Sequence, residues 1–536
     1  MVESYCRTNN LTAAASDRIT HELAFQGAFA RILTKAKASI KFCRNTSRYL
    51  VPIHTLPSEI LIHILNLAGA VGHESCKEHE TPYCLNRIHL QPVVFASVCV
   101  QWRTLMFQFP TFWSRIDLVH GHRAGWNIIP RAKIWAECAG LCPLDIRVAV
   151  VSCNLIEKGF VDFLNSIATR TLGSLSFILE NASDVNEGTF FKLYFSNWAP
   201  GTLKKLIIEK TKHSGRYSRL IKSSNSVQQH DSESYLFVDL PDDLLEALWR
   251  PVTVLRLHGI YIDWGSQAYH GLTELSLLPS RETHESPTTS IRESQFKMIL
   301  MSSPGLRVLR FGLAVAPNIG VILTQGEAII PVQLNDLELL DLDFDRRTET
   351  SLKYILRWVA PGPKPLILLL PRSYGAIPGS DLVAHNRPDI QSFLVRAKVT
   401  ELCMYIRDPA LDWLFSLTPH LRTLAVWLSS SLVTSHNETQ ENIDSSYGTI
   451  DKIYVLASTL KLNTFCQWLS RCPPTRALVY WRCVFLDDEG KRTYQADEFI
   501  KQQKTPTVCS HIENITDEPC PIGGWRASRH GYTYSI

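Results

Sequence analysis

The chain is defined first by what it does not contain. It has no large charge excess: 55 Lys and Arg stand against 51 Asp and Glu over 536 residues, a formal net charge of +4. A molecule so balanced carries no overall field for nucleic acid or a membrane surface, and neither is an expected partner. No apolar run exceeds the five residues Leu366–Leu370, far short of the ~20 needed to span a bilayer. The polar start Met1–Asn10 gives no expectation of a signal peptide. The 14 cysteines show no framework spacing and sit mostly within apolar patterns, which points to reduced thiols in a cytoplasmic or nuclear protein. The sequons at Asn45, Asn181, Asn437 and Asn514 then read as chance matches.

Catalytic signatures are missing too. The chain has no Gly-rich phosphate loop, no His-Glu-x-x-His and no Gly-x-Ser-x-Gly elbow. The carboxylate pairs Asp242-Asp243 and Asp487-Asp488 are sequence neighbours and cannot share a helix face; they read as a helix start and a turn. Basic and aromatic residues do not interleave on one stripe as nucleic-acid platforms require. The expectation is a protein without catalytic residues, cofactor or metal. The apolar fraction of 45% is ordinary for a folded protein, and the length calls for several domains or a solenoid.

The organising stretch is Pro52 to Leu118. In Leu56-Pro57-Ser58-Glu59-Ile60-Leu61-Ile62-His63-Ile64-Leu65, Pro57 and Glu59 suit a helix start. Ile60, Leu61, Ile64 and Leu65 then form an apolar stripe at helical spacing. A second stripe follows an intervening loop and comprises Phe95, Val98, Cys99, Trp102 and Leu105. Two such short helices cannot bury both stripes against each other, so a partner surface is implied.

This pattern resembles the F-box, through Leu56-Pro57-x-Glu59-Ile60-Leu61 and Val98-Cys99-x-x-Trp102-Arg103-x-Leu105. The closing segment Pro110-Thr111-Phe112-Trp113-Ser114-Arg115-Ile116-Asp117-Leu118 is similar to the version common in mushroom-forming fungi. The chain departs from the family in having Val100 where a basic residue is frequent, and in the insertion Gly69 to Pro92. The resemblance implies docking of the Skp adaptor of cullin-based ubiquitin ligases, through Leu56, Pro57, Ile60, Leu61, Ile64, Leu65, Val98, Cys99 and Trp102.

Before this module, Ser16 to Ser47 reads as one helix with Ile19, Leu23, Phe29, Ile32, Leu33, Ala36 and Ile40 along an apolar face. The helix could dimerise as a coiled coil or pack on its own chain, and the short, imperfect heptad favours the latter. The insertion holds His73, Cys76, His79, Cys84 and His89; without a Cys-x-x-Cys pair, a solvated loop is the simpler reading than zinc.

After the module, Leu144, Ile146, Val148 and Val150 alternate as a strand, and one phrase then returns: apolar-x-x-Leu-x-apolar. It occurs at Leu172-Leu175-Phe177, Leu203-Leu206-Ile208, Val252-Leu255-Leu257 and Leu272-Leu275-Leu277. It continues at Leu306-Leu309-Phe311, Leu337-Leu340-Leu342, Val399-Leu402-Met404 and Leu421-Leu424-Val426, with a strand-like Leu366–Leu370 between the sixth and seventh. Leu175 to Leu206 and Leu309 to Leu340 are both 31 residues, and Leu275 to Leu309 is 34. Amphipathic helices lie between phrases, at Phe160–Ile167, Asp242–Trp249 and Leu352–Val359, and prolines at 200, 304, 361, 419 and 473 stop helices before the next strand. This alternation is similar to the leucine-rich repeats of F-box proteins, although His258-Gly259-Ile260 stands where an asparagine ladder is expected. Polar loops are expected over Lys210–Ser234, Ser280–Ser290, Pro371–Pro388 and Ser429–Tyr447.

The resulting expectation is an α/β protein, an N-terminal helical F-box module followed by an α/β leucine-rich-repeat solenoid. Its domains are residues 1–50 (helix), 51–120 (module with insertion), 121–505 (solenoid) and 506–536 (capping tail). The resemblance implies a substrate-recognition adaptor with the Skp adaptor, a cullin and a protein target as partners; the alternative is a binding scaffold outside any ligase. Between inward leucines, alternate residues face the other way. Glu209, Arg256, His258, Arg310, Asp341, Asp343, Tyr405 and Trp427 are therefore expected on an open, target-holding strand face.

Overall fold

A computed structural model describes residues 4, 13–46, 52–74, 91–120, 128–150, 158–179, 187–210, 219–224, 235–279, 290–317, 330–343, 351–370, 387–406, 412–428, 449–487, 491 and 509–515. The chain divides into two compact units, residues 1–77 with 87–113, and residues 78–86 with 114–536. The protein is thus α/β: N-terminal helices, then a long parallel sheet of repeated β-α units, consistent with a repeat solenoid. No helix among the described residues is long and apolar enough to cross a membrane.

The first unit is helical. It contains α1 (Ala13–Thr46), a 3-10 turn at Pro52–Thr55, α2 (Ser58–Glu74), α3 (Gln91–Val98) and α4 (Val100–Gln108). From Asp17 to Arg44 every α1 residue is exposed except half-buried Ala28. The helix predicted by the apolar spacing is present, and its apolar residues, expected to pack on their own chain, are exposed among the described residues.

The second unit is built on fourteen strands paired in chain order. They are β1 (Arg115–His120), β2 (Leu144–Val150), β3 (Leu172–Leu179), β4 (Lys205–Lys210), β5 (Val254–His258), β6 (Glu274–Leu278) and β7 (Val308–Phe311). The series continues with β8 (Leu339–Leu342), β9 (Leu366–Leu369), β10 (Val399–Ile406), β11 (Thr423–Leu428), β12 (Ile450–Leu456), β13 (Thr475–Trp481) and β14 (Cys509–Ile515). Sequence places Arg115–Leu118 with the helical module; in the structure this stretch pairs along β2. Parallel neighbours need a crossover to return the chain to the same end. Most of the described crossovers carry helices, α5 (Ile128–Cys138), α6 (Lys158–Ile167), α7 (Glu187–Ser196), α8 (Asp242–Trp249), α9 (Glu293–Ser302), α10 (Ser351–Leu356), α11 (Arg387–Arg396), α12 (Asp412–Leu417) and α13 (Leu462–Ser470), while the β5-to-β6 crossover has only a 3-10 turn at Gln267–Tyr269.

Register explains the recurring phrase. The central leucine of each phrase sits beside the next, giving the row Ile146, Leu175, Leu206, Leu255, Leu275, Leu309, Leu340, Leu368, Leu402, Leu424, Ile453 and Leu478. None of these is more than 2% exposed. Each buried leucine contributes about 1.5–3 kcal/mol from apolar transfer, and neighbours share the same wall, so the row is one continuous core. Helices close it on that face. The Phe177 ring of β3 meets four α7 rings, Phe190, Phe191, Tyr194 and Phe195, at 5.2–6.0 Å with near-perpendicular planes.

Departures from expectation have local causes. Arg219–Ser223, inside the expected polar loop, is a strand between Tyr235–Val238 and Ile260–Ile262, its Ile221 buried together with Leu236 and Val238 at alternate positions of the neighbouring strand. Pro361 ends not a helix but the strand Val359–Pro361, in a two-stranded sheet that leaves it on an edge. Where an asparagine ladder was expected, Gly259 turns at φ 76°, and the Tyr261 hydroxyl accepts from Gly259 N at 3.3 Å and donates to Leu278 O at 2.8 Å. Most of the other expected polar loops lie outside the described residues.

Candidate docking surfaces

The helical unit is assembled around α4. Cys99 caps it, its thiol accepting from Trp102 N at 3.5 Å. Arg103 Nε reaches back to Ala96 O at 3.0 Å and ties α4 to α3. Trp113 donates Nε1–H to Met106 O at 2.8 Å and stacks on Phe107 at 5.3 Å. Among the described residues its buried apolar side chains include Leu61, Leu65, Leu105, Met106, Phe112 and Trp113.

The nine expected docking residues fall into three sets. Leu61 and Leu65, 0% and 2% exposed, are core and not surface. Residues 61 and 65 share one helical row, while 60, 64 and 67 form the adjacent row, and sequence reading merged the two. Ile60 at 49%, Ile64 at 38% and Val98 at 52% exposure point outward. Pro57 is exposed, and Leu56, Cys99 and Trp102 are half-buried. The Trp102 ring meets Phe95 edge-on at 6.2 Å, so it packs α3 against α4. An open cleft of about 600 Å³ brings Leu56, Pro57 and the start of α2 opposite Gln101, Thr104, Leu105 and Gln108 of α4.

On α2–α4 the sequence reading missed the exposed apolar residues Leu67, Val93, Val94, Val100 and Phe107. Val93 and Val94 had a signal in the apolar run after Pro92. Val100 had one as well, being apolar where a basic residue was expected. Without knowledge of which helix face meets the core, neither signal could be oriented. His73 falls on α2, and Cys76, His79, Cys84 and His89 lie outside the described residues. Among the described residues no group of three or more His, Cys, Asp or Glu could hold a metal ion.

In the sheet unit, the residues alternating with the leucine row line the other face, and their character changes along the sheet. Over β5–β8 they are charged and paired. Arg256 Nε lies 2.5 Å from Glu274 Oε1, and Arg310 Nε lies 3.8 Å from Asp341 Oδ2. Arg307 meets Glu338 at 2.8 Å, and its hydrogen bonds hold the Glu338 carboxyl below the usual range. Asp343 and Glu209 are half-buried. His258 is 8% exposed, its Nε2 lying 3.4 Å from Ser276 Oγ. Over β9–β13 the same face becomes apolar: Leu369, Cys403, Ala425, Trp427, Leu456 and Trp481 form one buried cluster, with Tyr405 and Tyr454 packed against it.

Two of the eight expected face residues are therefore not open. Trp427, 3% exposed, stands beside Tyr405 in register and is shielded within the cluster; His258 is buried among its neighbours on β5 and β6. Alternation fixed the face correctly, but alternation says nothing of what covers it. Trp481 and Tyr454 went unnoticed because β12 and β13 carry no clean copy of the leucine phrase. No protein-family model matches the chain, and no curated protein matches its sequence.

Proposed function

We propose that the chain is a substrate-recognition adaptor whose N-terminal helical module docks a Skp-type adaptor of a cullin ubiquitin ligase, while the repeat sheet holds a protein target. The observation that carries the reading is the apolar surface of a very small module. Ile60, Ile64, Leu67, Val93, Val94, Val98, Val100 and Phe107 stay exposed, all of them on the short helices α2–α4. A soluble protein rarely leaves so many apolar residues open on so short a segment without a partner to cover them. The F-box-like pattern Leu56-Pro57-x-Glu59-Ile60-Leu61 contributes Pro57, Glu59 and Ile60 to this surface, and the resemblance suggests the kind of partner.

Such an adaptor performs no bond chemistry. It works by proximity, raising the local concentration of a target lysine near the charged carrier. On the sheet, the paired charges around Arg256, Arg310 and Asp341 are the accessible part of the strand-lined face, and target selection is assigned there rather than to Trp427.

Co-purification from a fungal lysate with the full chain as bait tests the reading. Recovery of a Skp adaptor together with a cullin supports it. Recovery of other proteins with neither component points instead to a scaffold outside any ligase.

A further inference from the structure

The long helix α1 is left unused by this function. Its 34 residues extend about 51 Å at 1.5 Å per residue. Phe25, Phe29, Ile32, Leu33 and Ile40 are 46–68% exposed and fall within a sector of about 100° around the axis. From Leu23 to Thr46 the charged residues are Arg31, Lys35, Lys37, Lys41 and Arg44, with no acid among them. The chain as a whole is nearly neutral, so this run is a local concentration of charge laid beside an apolar stripe.

Three kinds of partner could cover such a face. A second copy of α1 would set five basic residues against five, with only Asp17 and Glu22 to offset them in the preceding turns. A flat anionic membrane would cover one side of the helix, as interfacial helices require. Exposed apolar side chains are not confined to one side: Leu23 and Phe25, 50% and 64% exposed, point about 160° apart at 3.6 residues per turn. A partner that encloses the helix, is acidic, and presents apolar grooves satisfies charge and shape together. Basic helices carrying exposed apolar anchors are the kind of segment that calcium-opened EF-hand proteins, with their methionine-rich grooves, enclose.

We propose that α1 is a docking helix for an acidic EF-hand calcium sensor, which would bring the chain under calcium control. The test uses the full-length chain with calmodulin as probe, followed by titration calorimetry in calcium and in excess EGTA. The expected result is a Kd of about 1 µM or tighter in calcium, weakened more than about tenfold in EGTA. Two variants at exposed positions, Phe29→Ser with Ile32→Ser, and Lys35→Glu with Lys37→Glu, should each weaken binding at least about tenfold while leaving the melting temperature unchanged. No binding in calcium would overturn the proposal, as would equal binding by both variants. Capture of the chain by phosphatidylserine vesicles but not calmodulin would assign the helix to a membrane. A dimer in sedimentation that the Phe29/Ile32 variant abolishes, without calmodulin binding, would assign it to a second copy.

Discussion

The docking proposal makes its sharpest prediction at two adjacent rows of α2. Ile60 and Ile64 are 49% and 38% exposed, whereas Leu61 between them is fully buried. Complete burial of such a side chain is worth about 1.5–3 kcal/mol, so covering the exposed parts of Ile60 and Ile64 contributes about 1.3–2.6 kcal/mol in all. Changing both to Ser should therefore weaken a Skp-type adaptor roughly 10- to 80-fold. Because both positions are on the surface, stability should move by no more than about 0.5 kcal/mol. Leu61→Ala should behave in the opposite sense, costing about 2–5 kcal/mol of module stability through a cavity. Calorimetry against purified adaptor, paired with thermal melts of each variant, separates the two rows. An Ile60/Ile64 variant that binds like the parent, with the parent binding well, would show that this row is not the docking surface.

Further outcomes can be checked on the same purified chain. Lys210 and Glu187 form a buried pair at 3.3 Å, 3% and 0% exposed in their side chains; Lys210→Met should cost about 3–5 kcal/mol in denaturant unfolding, and adding Glu187→Gln should recover part of it. A single variant as stable as the parent would mean the carboxylate is not dependent on that lysine. Trp427→Ala should lower stability by about 3–5 kcal/mol, since the ring is 3% exposed in an apolar cluster; an unchanged melting temperature would contradict its packing role. Burial pushes the Cys466 thiol up to about 11 from an ordinary 9.0. Peptide mapping after iodoacetamide should accordingly find exposed Cys43 modified in the native chain and Cys466 only after unfolding. The sign for stability follows: the neutral Cys466 thiol favours the fold fully below pH 9.0 and ceases to do so as pH rises through about 11. Early labelling of native Cys466 would refute its burial.

The sequence by itself determined the repeating unit. A leucine flanked by apolar residues at fixed offsets can bury its row only if each strand lies beside the next, and Leu175, Leu206, Leu255 and their successors do pair in that order. Helical spacing likewise announced α1, α2, α6 and α8, because local periodicity and chain stiffness act over a few residues. Tertiary structure alone decided the rest. Ile60 and Leu61 are chemically alike, and only packing against other segments makes one surface and the other core. Trp427 and Arg256 both alternate with the leucine row, yet one is sealed in an apolar cluster and the other, within the sheet, pairs with Glu274 and stays partly exposed. Arg219–Ser223 became a strand because the segments Tyr235–Val238 and Ile260–Ile262, far along the chain, supply its hydrogen-bond partners. Burial and strand pairing depend on neighbours remote in sequence, and a local pattern carries no record of them.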